Sequence, residues 1–335
     1  MQGLILAALT MFLFLTGSKS YCSLATTRGT VTKTLSSTLL SHLIAGGSRR
    51  GPTAATRGLA AAAGDGQLCS PPNTHGTCGT VVTVPIFGDN YAYLLHDPSM
   101  GRTAALDPAD PEKMLAAADA HGLTIDEVWC THHHADHAGG NAALAARLGP
   151  GLVVRSTAYD DRIPAVTDKY EDGAEFKFGS LNVKVLYTPC HTRGHVLFYV
   201  TGDTGDPILF SGDTVFVGGC GRFFEGTAAQ MTKNLMEVVA KLPSETKIFC
   251  SHEYTMGNLA FAKSIEPENS DLLSKIEWSK NQLENGEYTV PSTVGGELAY
   301  NPFMRVDMPS VQAAVGAVGD PVKTMAALRE GKNNF

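Results

Sequence analysis

The sequence predicts an α+β fold, an αββα sandwich followed by a small all-α domain. Two observations support this prediction. In the middle of the chain, short apolar runs typical of buried strands alternate with helical patterns, as expected for sheets that are covered by helices. After residue 252 the strand patterns end, and helical patterns continue to the C-terminus. We therefore divide the fold into residues 80–252 and residues 253–335.

The individual elements follow from local patterns. Short apolar runs predict strands at residues 81–84, 91–95, 103–106, 125–130, 183–187, 208–210 and 248–250. Thr227 and Gln230 form a capping box, and apolar residues at helical spacing continue from there to Leu242. Further helices are predicted at residues 259–265, 272–283 and 321–328. The last of these begins with Asp320 as its N-cap and Pro321 in its first position.

Residues 1–79 are predicted to be a targeting leader and a linker. No acidic residue occurs before Asp65, although that stretch has six Lys or Arg residues. Its apolar residues 4–15 are too few to span a bilayer, which takes roughly 20 residues, and are typical of a signal peptide core. Together with the Ser-, Thr- and Arg-rich segment that follows, these residues indicate import into a plastid. A mitochondrial presequence is the simpler interpretation. The third interpretation is a leader that has no targeting role. The Gly- and Pro-rich residues 64–79 would be the linker, so we expect a protein that begins near Thr80 to fold as well as the full chain.

Composition excludes several classes of function. The stretch before residue 65 carries +6 and the whole chain −7, so the remainder carries −13 and is a poor partner for nucleic acid. The seven cysteines are odd in number and form no disulfide framework, which indicates a reducing compartment. With 335 residues and 43% hydrophobic content, the chain can bury a full core. We expect a monomer whose mature form is not stably inserted in a membrane.

A dense cluster of metal-binding residue types follows the predicted strand 125–130: His132, His133, His134, Asp136 and His137. Side chains at i and i+2 of an extended backbone share a face, so His132 and His134 can hold one ion while His133 points away. Asp136 and His137 lie where the backbone must turn, and they are assigned to a second ion. Catalytic zinc usually takes three protein ligands, so other segments must supply the rest.

Three later positions complete the assignment, and each follows an apolar strand-like run: His191, Asp213 and His252. The first ion is assigned to His132, His134 and His191, and the second to Asp136, His137 and His252. Asp213 is interpreted as a carboxylate that bridges the two ions. His195 lies four residues beyond His191, and spacing alone does not choose between them; we interpret His195 as a residue that forms hydrogen bonds behind the ligands.

Eight segments carry a resemblance to a known family. They are residues 89–93 (DNYAY), 106–108 (LDP), 131–140 (THHHADHAGG), 188–195 (TPCHTRGH), 211–214 (SGDT), 219–226 (GCGRFFEG), 251–254 (SHEY) and 300–305 (YNPFMR). In these segments the chain resembles the hydrolases of the metallo-β-lactamase superfamily and, within them, the glyoxalase II family, the hydroxyacylglutathione hydrolases. The segment at 131–140 is shared by the whole superfamily, and the later segments narrow the resemblance to glyoxalase II. It implies a metallo-β-lactamase sandwich in residues 80–252 and a helical substrate-binding domain in residues 253–335.

The resemblance implies two divalent ions, with zinc expected first and iron or manganese accepted by the same ligands. It also implies that His191, rather than His195, is the ligand. Two adjacent cations lower the pKa of a water from about 15.7 towards 7, which supplies a hydroxide nucleophile at neutral pH. Asp213 would fix the distance between the ions and Asp136 would orient the hydroxide, so these two aspartates are the candidate catalytic residues.

The implied reaction is hydrolysis of the thioester of S-(2-hydroxyacyl)glutathione, chiefly S-lactoylglutathione, to glutathione and a 2-hydroxy acid such as lactate, in methylglyoxal detoxification. The positions that bind glutathione in the family correspond here to Arg222, Tyr254, Arg329 and Lys332. Phe224 lacks a hydroxyl that some relatives carry at that position. Two alternatives are a persulfide dioxygenase with a single iron and a glutathione- or metal-binding module without catalysis. A metal analysis combined with a thioesterase assay distinguishes the three.

Overall fold

Two sheets and a small hairpin contain the strands of the computed structural model, which describes residues 68–335. The seven-stranded sheet has the spatial order β1 (Asn73–Thr74), β2 (Thr80–Ile86), β3 (Asn90–Asp97), β4 (Arg102–Leu106), β5 (Ile125–Trp129), β6 (Val153–Thr157) and β7 (Asp168–Tyr170). The six-stranded sheet has the order β15 (Ser292–Thr293), β14 (Lys247–Cys250), β11 (Ile208–Gly212), β10 (Val196–Thr201), β9 (Leu181–Tyr187) and β8 (Glu175–Phe178). The hairpin pairs β12 (Val215–Phe216) with β13 (Gly219–Cys220).

The inner faces of the two sheets pack against each other. Successive side chains of a strand point to opposite faces, so each strand contributes every second residue to this interior. Leu95 and Trp129 from the first sheet belong to one buried cluster with Phe198 and Phe210 from the second. The Trp129 ring lies 5.4 Å from the Phe198 ring, centroid to centroid. This cluster joins the sheets into one sandwich.

Helices cover the outer faces. On the first sheet, Leu94 and Val128 pack with Met114 of α1 (Pro111–Ala120) and Leu144 of α3 (Asn141–Leu148). On the second sheet, Leu209 packs with residues of the later helices. The remaining helices are α2 (Ala135–Ala138), α4 (Ala228–Lys233), α5 (Thr255–Ile265), α6 (Ser270–Glu284), α7 (Val294–Tyr300), α8 (Pro309–Ala314) and α9 (Pro321–Asn334). The predicted αββα sandwich with a helical C-terminal region is confirmed.

The helix-start signals in the sequence correspond to observed helix starts. Thr227 and Gln230 form both bonds of a capping box at the start of α4. Asp320 accepts a hydrogen bond from the Lys323 backbone N–H at the start of α9, with Pro321 in the first turn. The helical spacing up to Leu242 is not one α-helix, however. After α4 the chain continues through a π-helical turn, Asn234–Val238, and a 3₁₀ turn, Val239–Lys241.

Several strands were not predicted. β6 contains Arg155, and this charged residue interrupts the apolar pattern of the strand. In the fold, Arg155 Nε donates to Glu127 on the neighbouring strand at 2.6 Å. The prediction that strands end after His252 was also wrong. Ser292 and Thr293 form β15, which pairs antiparallel with β14, so the C-terminal region adds an edge strand to the second sheet.

The segment before Thr80 is part of the fold, contrary to the prediction of a linker. Asn73 and Thr74 pair with β2, so the first strand begins earlier than expected. Ser70 exchanges two hydrogen bonds with Thr83, one at 2.8 Å from its own N–H and one at 2.9 Å to its hydroxyl. Cys78 is buried in the core between the sheets. Residues 68–79 therefore pack on the sandwich and do not form a spacer, and Gly76 and Gly79 allow its turns with φ values of 58° and 104°.

Residues 1–67 of the predicted leader and linker lie outside the described residues. Within residues 68–335, the helices are all too short or too polar to cross a membrane.

A protein that begins at Thr80 is predicted to be less stable than one that begins at Leu68. It loses the two bonds between Ser70 and Thr83 and three between Thr77 and Thr204, at 3.0, 2.8 and 2.6 Å. At about 0.5–1.5 kcal/mol each, these five bonds together contribute roughly 2.5–7.5 kcal/mol. Thermal unfolding of the two proteins measures the difference, expected to be several degrees or more. Equal midpoints would mean that this segment does not stabilise the sandwich.

Candidate metal centre

The structure brings together the residues that follow the carboxyl ends of β5, β9, β11 and β14. Three groups have potential ligand atoms within 4.8 Å of one another: His132, His134 and His191; His132, His137 and Asp213; and Asp136, His137 and His252. Backbone bonds between the sheets help to assemble them. The Tyr91 N–H donates to the Ser251 carbonyl at 2.8 Å, which ties the start of β3 to the loop that carries His252.

Three imidazole nitrogens converge in the first group. The distance from His134 Nδ1 is 3.0 Å to His132 Nε2 and 3.1 Å to His191 Nε2. Nitrogens bound to one tetrahedral zinc at about 2.0–2.1 Å would lie roughly 3.3 Å apart. The three nitrogens therefore have nearly the spacing that a shared ion requires.

Hydrogen bonds behind the first group fix how two of these rings face the centre. His191 Nδ1 donates to the Arg222 carbonyl at 3.0 Å, because a carbonyl oxygen can only accept. The Thr131 hydroxyl donates to Asp107 at 2.7 Å and therefore accepts from His132 Nδ1 at 3.1 Å. In both neutral rings the Nε2 lone pair is left to face the centre, as in histidines that bind metals.

Asp136, His137 and His252, called the second group from here on, lie around an oxygen of Asp213. Asp213 Oδ1 lies 3.5 Å from His137 Nε2 and 3.4 Å from His252 Nε2, and Asp136 Oδ2 lies 3.7 Å from each of these nitrogens. His137 Nε2 and Asp213 Oδ1 are buried without a hydrogen-bond partner among the described residues. Buried polar atoms are normally paired, so these two atoms fit a cation as their missing partner.

Asp213 lies between the two groups. Its Oδ2 is 3.2 Å from His191 Nε2, and its Oδ1 faces the second group. Its backbone N–H donates to His195 Nε2 at 3.0 Å, so His195 lies behind the centre. The other nitrogen of His195 lies near the Thr188 and Thr214 hydroxyls, at 3.3 and 3.2 Å. His133 faces away from the centre and contacts Asp160 at 3.4 Å.

The electrostatics of the two groups differ. Burial lowers the pKa of His134 to about 4 and that of His132 well below its usual value, so these rings are neutral at pH 7. Burial opposes ionisation of Asp213, but His252 and His137 lower the pKa of Asp213 below its usual range. Although burial acts in the other direction, Asp213 raises the pKa of His252 to about 10. Positive charge thus collects around Asp213, and a bound cation would compete with those protons.

Asp107 holds residues of the centre in place through hydrogen bonds, and no role was predicted for it from the sequence. Its Oδ1 accepts from the Thr131 N–H at 2.7 Å, and its Oδ2 accepts from the Thr131 hydroxyl at 2.7 Å and His137 Nδ1 at 3.0 Å. Its backbone has a φ of 47°, which is uncommon for a residue with a side chain. The available signal was an aspartate at a strand end, in the LDP segment.

Glu297 and Asn301 also act on the centre from a distance, and neither was singled out. Glu297 Oε2 accepts from the Gly218 N–H at 2.9 Å, and Asn301 donates to the Gly219 carbonyl at 3.0 Å. Both bonds hold the β12–β13 hairpin, which follows Asp213 directly. The C-terminal region therefore braces the turn between the centre and Arg222.

A cavity of about 680 Å³ opens onto the centre. Its lining includes five residues of the two groups and all four residues that the resemblance assigned to glutathione: His134, Asp136, His191, Asp213, His252, Arg222, Tyr254, Arg329 and Lys332. The volume is in the usual range for small-molecule sites, about 300–1,000 Å³.

Three cations of this cavity form no ion pair within residues 68–335: Arg222, Arg329 and Lys332. Arg329 is buried and donates to the Cys220 carbonyl at 2.8 Å, while its Nε has no hydrogen-bond partner among the described residues. Burial lowers the pKa of Lys332, and the nearby charges of Arg329 and Arg222 lower it further. Such a cluster of like charges is suited to an anionic ligand.

Two aromatic residues flank the centre within the cavity. Tyr254 stacks on His252, with centroids 4.6 Å apart and an angle of 7° between the rings. Phe224 is 60% exposed and places its ring 5.1 Å from His191 and 5.8 Å from His134. An exposed phenyl ring at this position offers an apolar surface beside the first group.

Comparisons with known proteins agree with this geometry. Residues 80–252 match the family model of the metallo-beta-lactamase superfamily, and residues 253–335 match that of the hydroxyacylglutathione hydrolase C-terminus. The hydroxyacylglutathione hydrolase of Methylococcus capsulatus is 44% identical over 76% of this chain and 98% of its own length. The cytoplasmic hydroxyacylglutathione hydrolase of Arabidopsis thaliana is 44% identical over 75% of this chain and 97% of its own length. The chain belongs to the hydroxyacylglutathione hydrolase family.

The fold of this family member is shared with more distant structures. A metallo-beta-lactamase from Staphylococcus aureus has a TM-score of 0.51 at 24% identity, over 72% of this chain and 67% of that protein. The superfamily implies binding of divalent metal, and the histidine and aspartate groups fit that role.

Replacing Asp107 with Asn is predicted to weaken metal binding about 10–100-fold, as is typical when a residue that orients metal ligands is removed. The amide keeps the shape of the carboxylate but has only one acceptor oxygen, so it cannot accept from both the Thr131 N–H and His137 Nδ1. Metal content and zinc affinity of the purified variant measure the effect.

Asp97→Asn is the matched control. Asp97 is equally buried at the end of β3, where it accepts from Ser99 and Ser180 and does not contact the centre. It should keep its metal even if it unfolds at a lower temperature. Full zinc affinity in Asp107→Asn would remove Asp107 from its supporting role.

Proposed function

We propose that this protein hydrolyses the thioester of S-(2-hydroxyacyl)glutathione, chiefly S-lactoylglutathione, at a centre that holds two divalent ions. The products are glutathione and a 2-hydroxy acid such as lactate, as in methylglyoxal detoxification. One observation carries the proposal: Asp213 lies between two ligand groups, and residues of both groups line the same cavity as three cations that have no ion-pair partner among the described residues. The relatives named hydroxyacylglutathione hydrolase support the choice of substrate.

The proposed ligands of the first ion are His132, His134 and His191, and those of the second are Asp136, His137 and His252, with Asp213 between them. Zinc is expected first, since imidazole and carboxylate suit it, but iron and manganese accept the same donors. When bound, such ions supply a hydroxide nucleophile at neutral pH and polarise the acyl oxygen.

Asp213 and Asp136 have different tasks in this proposal. Asp213 is buried and reaches both groups, so it sets the distance between them and balances their charge. Asp136 is partly exposed to the cavity and accepts from the Asn90 side chain at 3.2 Å. Its remaining acceptor capacity can hold the attacking hydroxide through a hydrogen bond and orient it towards the acyl carbon.

The cavity cations would hold the carboxylates of the tripeptide. The Arg329 Nε, which has no hydrogen-bond partner among residues 68–335, can donate to one of them, and Lys332 lies near enough to Arg329 and Arg222 for their charges to act on it. Tyr254 lines the same cavity and is stacked on His252. Phe224 cannot donate a hydrogen bond to the tripeptide, so its contribution is limited to apolar contact. A thiolate leaves without a strong general acid, which fits a cavity that offers cations.

No feature of the described residues favours the alternatives. A dioxygenase with a single iron would need only the first group, whereas the second group is also assembled around Asp213. A module without catalysis would not require every one of the seven proposed ligand positions to carry a metal-binding residue.

We also propose that residues 80–252 form the catalytic domain and residues 253–335 the substrate-binding domain of a monomer. The spans of the two family models support this division. The acid-free N-terminus supports a leader for a mitochondrion or a plastid. Microscopy of a fluorescent fusion of residues 1–79 would choose between the two, and a cytosolic signal would reject both.

Replacing both Arg329 and Lys332 with Ala is predicted to raise KM for S-lactoylglutathione at least tenfold for each cation that binds a carboxylate of the tripeptide. Charge-assisted hydrogen bonds contribute about 1.5–3 kcal/mol each, and every 1.4 kcal/mol is a factor of ten. Because these bonds exist in the ground state and the transition state alike, kcat should change little. Steady-state kinetics with lactoylglutathione and with a small thioester that lacks the tripeptide measure this.

Lys323→Ala is the matched control, since Lys323 lies on the same helix but pairs with Asp320 outside the cavity. Lys332→Ala alone separates the effect of charge from that of packing, because Arg329 is buried and Lys332 is not. Metal content should be the same in all variants. An unchanged KM in the double variant would contradict the proposed glutathione site, and a wild-type enzyme without thioesterase activity would contradict the proposed reaction.

A further inference from the structure

A second cluster of charged residues lies against the first ligand group, outside the lining of the cavity. Its members are His133, Asp160, Arg162, Arg193 and Glu225. They come from four separate segments of the chain, and three of these segments also carry His134, His191 or Arg222. Neither the sequence motifs nor the proposed reaction gives this cluster a role.

Arg162 connects the cluster. Its guanidinium donates to both oxygens of Asp160, at 2.8 and 2.6 Å, and to both oxygens of Glu225, at 2.5 and 2.7 Å. A planar guanidinium can bind two carboxylates in this way, whereas a lysine ammonium cannot. Asp160 is almost fully buried, so its charge depends on this partner.

Asp160 contacts two loops of the metal centre. Its Oδ2 lies 3.4 Å from Nδ1 of His133, the residue between His132 and His134. It also packs against Gly194, where an added Cβ would lie 2.3 Å from the Asp160 Cβ. Only glycine allows this approach, so the backbone of the loop that carries His191 packs directly against the Asp160 side chain.

Glu225 holds the same loop from the other side. Its Oε2 accepts from the Arg193 N–H at 2.7 Å, and its own N–H donates to the Cys190 carbonyl at 3.2 Å. Residues on both sides of His191 are thus bonded to Glu225. The segment of Glu225 also supplies the Arg222 carbonyl that orients the His191 ring.

The second ligand group has different supports. His137 is oriented by Asp107, and Asp136 is held by Asn90. The ion-pair partners of Arg162 are Asp160 and Glu225, which belong to the first group's surroundings. Asp107 thus supports His137 directly and His132 through Thr131, whereas the ion pairs of Arg162 lie beside the loops of His134 and His191 only.

We propose that Arg162 is a positioning residue for the first metal ion: by bridging Asp160 and Glu225 it holds the loops of His134 and His191 at the spacing that the ion requires. The inference rests on the proposed binuclear centre. Its consequence is selective, because removal of the Arg162 side chain weakens the first ion and leaves the second in place.

A third metal site is the competing interpretation of the cluster. His133, Asp160 and Glu225 have potential ligand atoms within 4.8 Å of one another. However, the Arg162 guanidinium already occupies both carboxylates, and a cation there would have to displace a positive charge that fits them. The bridge by Arg162 is therefore the better explanation.

Zinc titration of the metal-free full-length protein against a chromophoric chelator tests the proposal. The wild type should bind two zinc ions. In Arg162→Ala one of the two affinities should fall tenfold or more, while the other changes less than threefold. Arg162→Lys, which keeps the charge but not the double bridge, should show a smaller reduction at the same site. Glu225→Gln should reproduce the reduction if the alanine variant folds poorly.

Two further variants identify the site that is affected. In His252→Ala only the first group is complete, so adding Arg162→Ala should lower the affinity of the remaining zinc tenfold or more. In His191→Ala the first group is already broken, and the same addition should change little. Arg147→Ala is the matched control, since Arg147 bridges Glu112 on the surface away from the centre, and both affinities should persist.

The outcomes separate the two levels of inference. Equal reduction at both sites, unchanged affinities, or tight binding of a third zinc in the wild type would overturn the role of Arg162. A wild type that binds fewer than two zinc ions would instead contradict the proposed binuclear centre.

Discussion

The hydrogen bonds of the Asp107 carboxylate connect the segments of the metal centre. This carboxylate lies at the end of β4 and accepts from the backbone and hydroxyl of Thr131, from His137 and, more weakly at 3.4 Å, from Ser251. These donors follow β5 and β14, so one buried charge joins strand ends from both sheets. A polar group is costly to bury unless such donors satisfy it. The hydrogen bonds of Asp107 thus fix His137 directly, His132 through Thr131, and the residue that precedes His252.

The proposed ligand positions could be singled out in the sequence because their signal is local, and the structure brings them together. The period of an extended strand separates His133 from His132 and His134, and turns place polar residues directly after buried strands. The supporting residues could not be found in this way. Whether an arginine such as Arg162 bridges two carboxylates or faces solvent depends on Glu225, which is 63 residues away in the sequence. Only the folded chain brings such partners together.

The same distinction applies to the fold. Strands with continuous apolar runs were identified, and helices were located where Thr227 and Asp320 mark their starts. β6 was missed because an arginine in the sequence is usually a surface residue. The partner that allows Arg155 in this strand, Glu127, lies on the neighbouring strand. β10, Val196–Thr201, was also missed, although its residues are mostly apolar. Propensity therefore predicts an element well when its stabilising partners are apolar and poorly when they are specific charges.

The edge strand β15 has a consequence for synthesis on the ribosome. Translation produces β14 well before β15, so one edge of the second sheet has no partner until residue 293 has emerged. Glu297 and Asn301, which brace the hairpin after Asp213, emerge later still. A nascent chain that already contains every proposed ligand therefore still lacks the parts that hold them in register. The structural support of the proposed centre is therefore complete only after the C-terminal region has been synthesised.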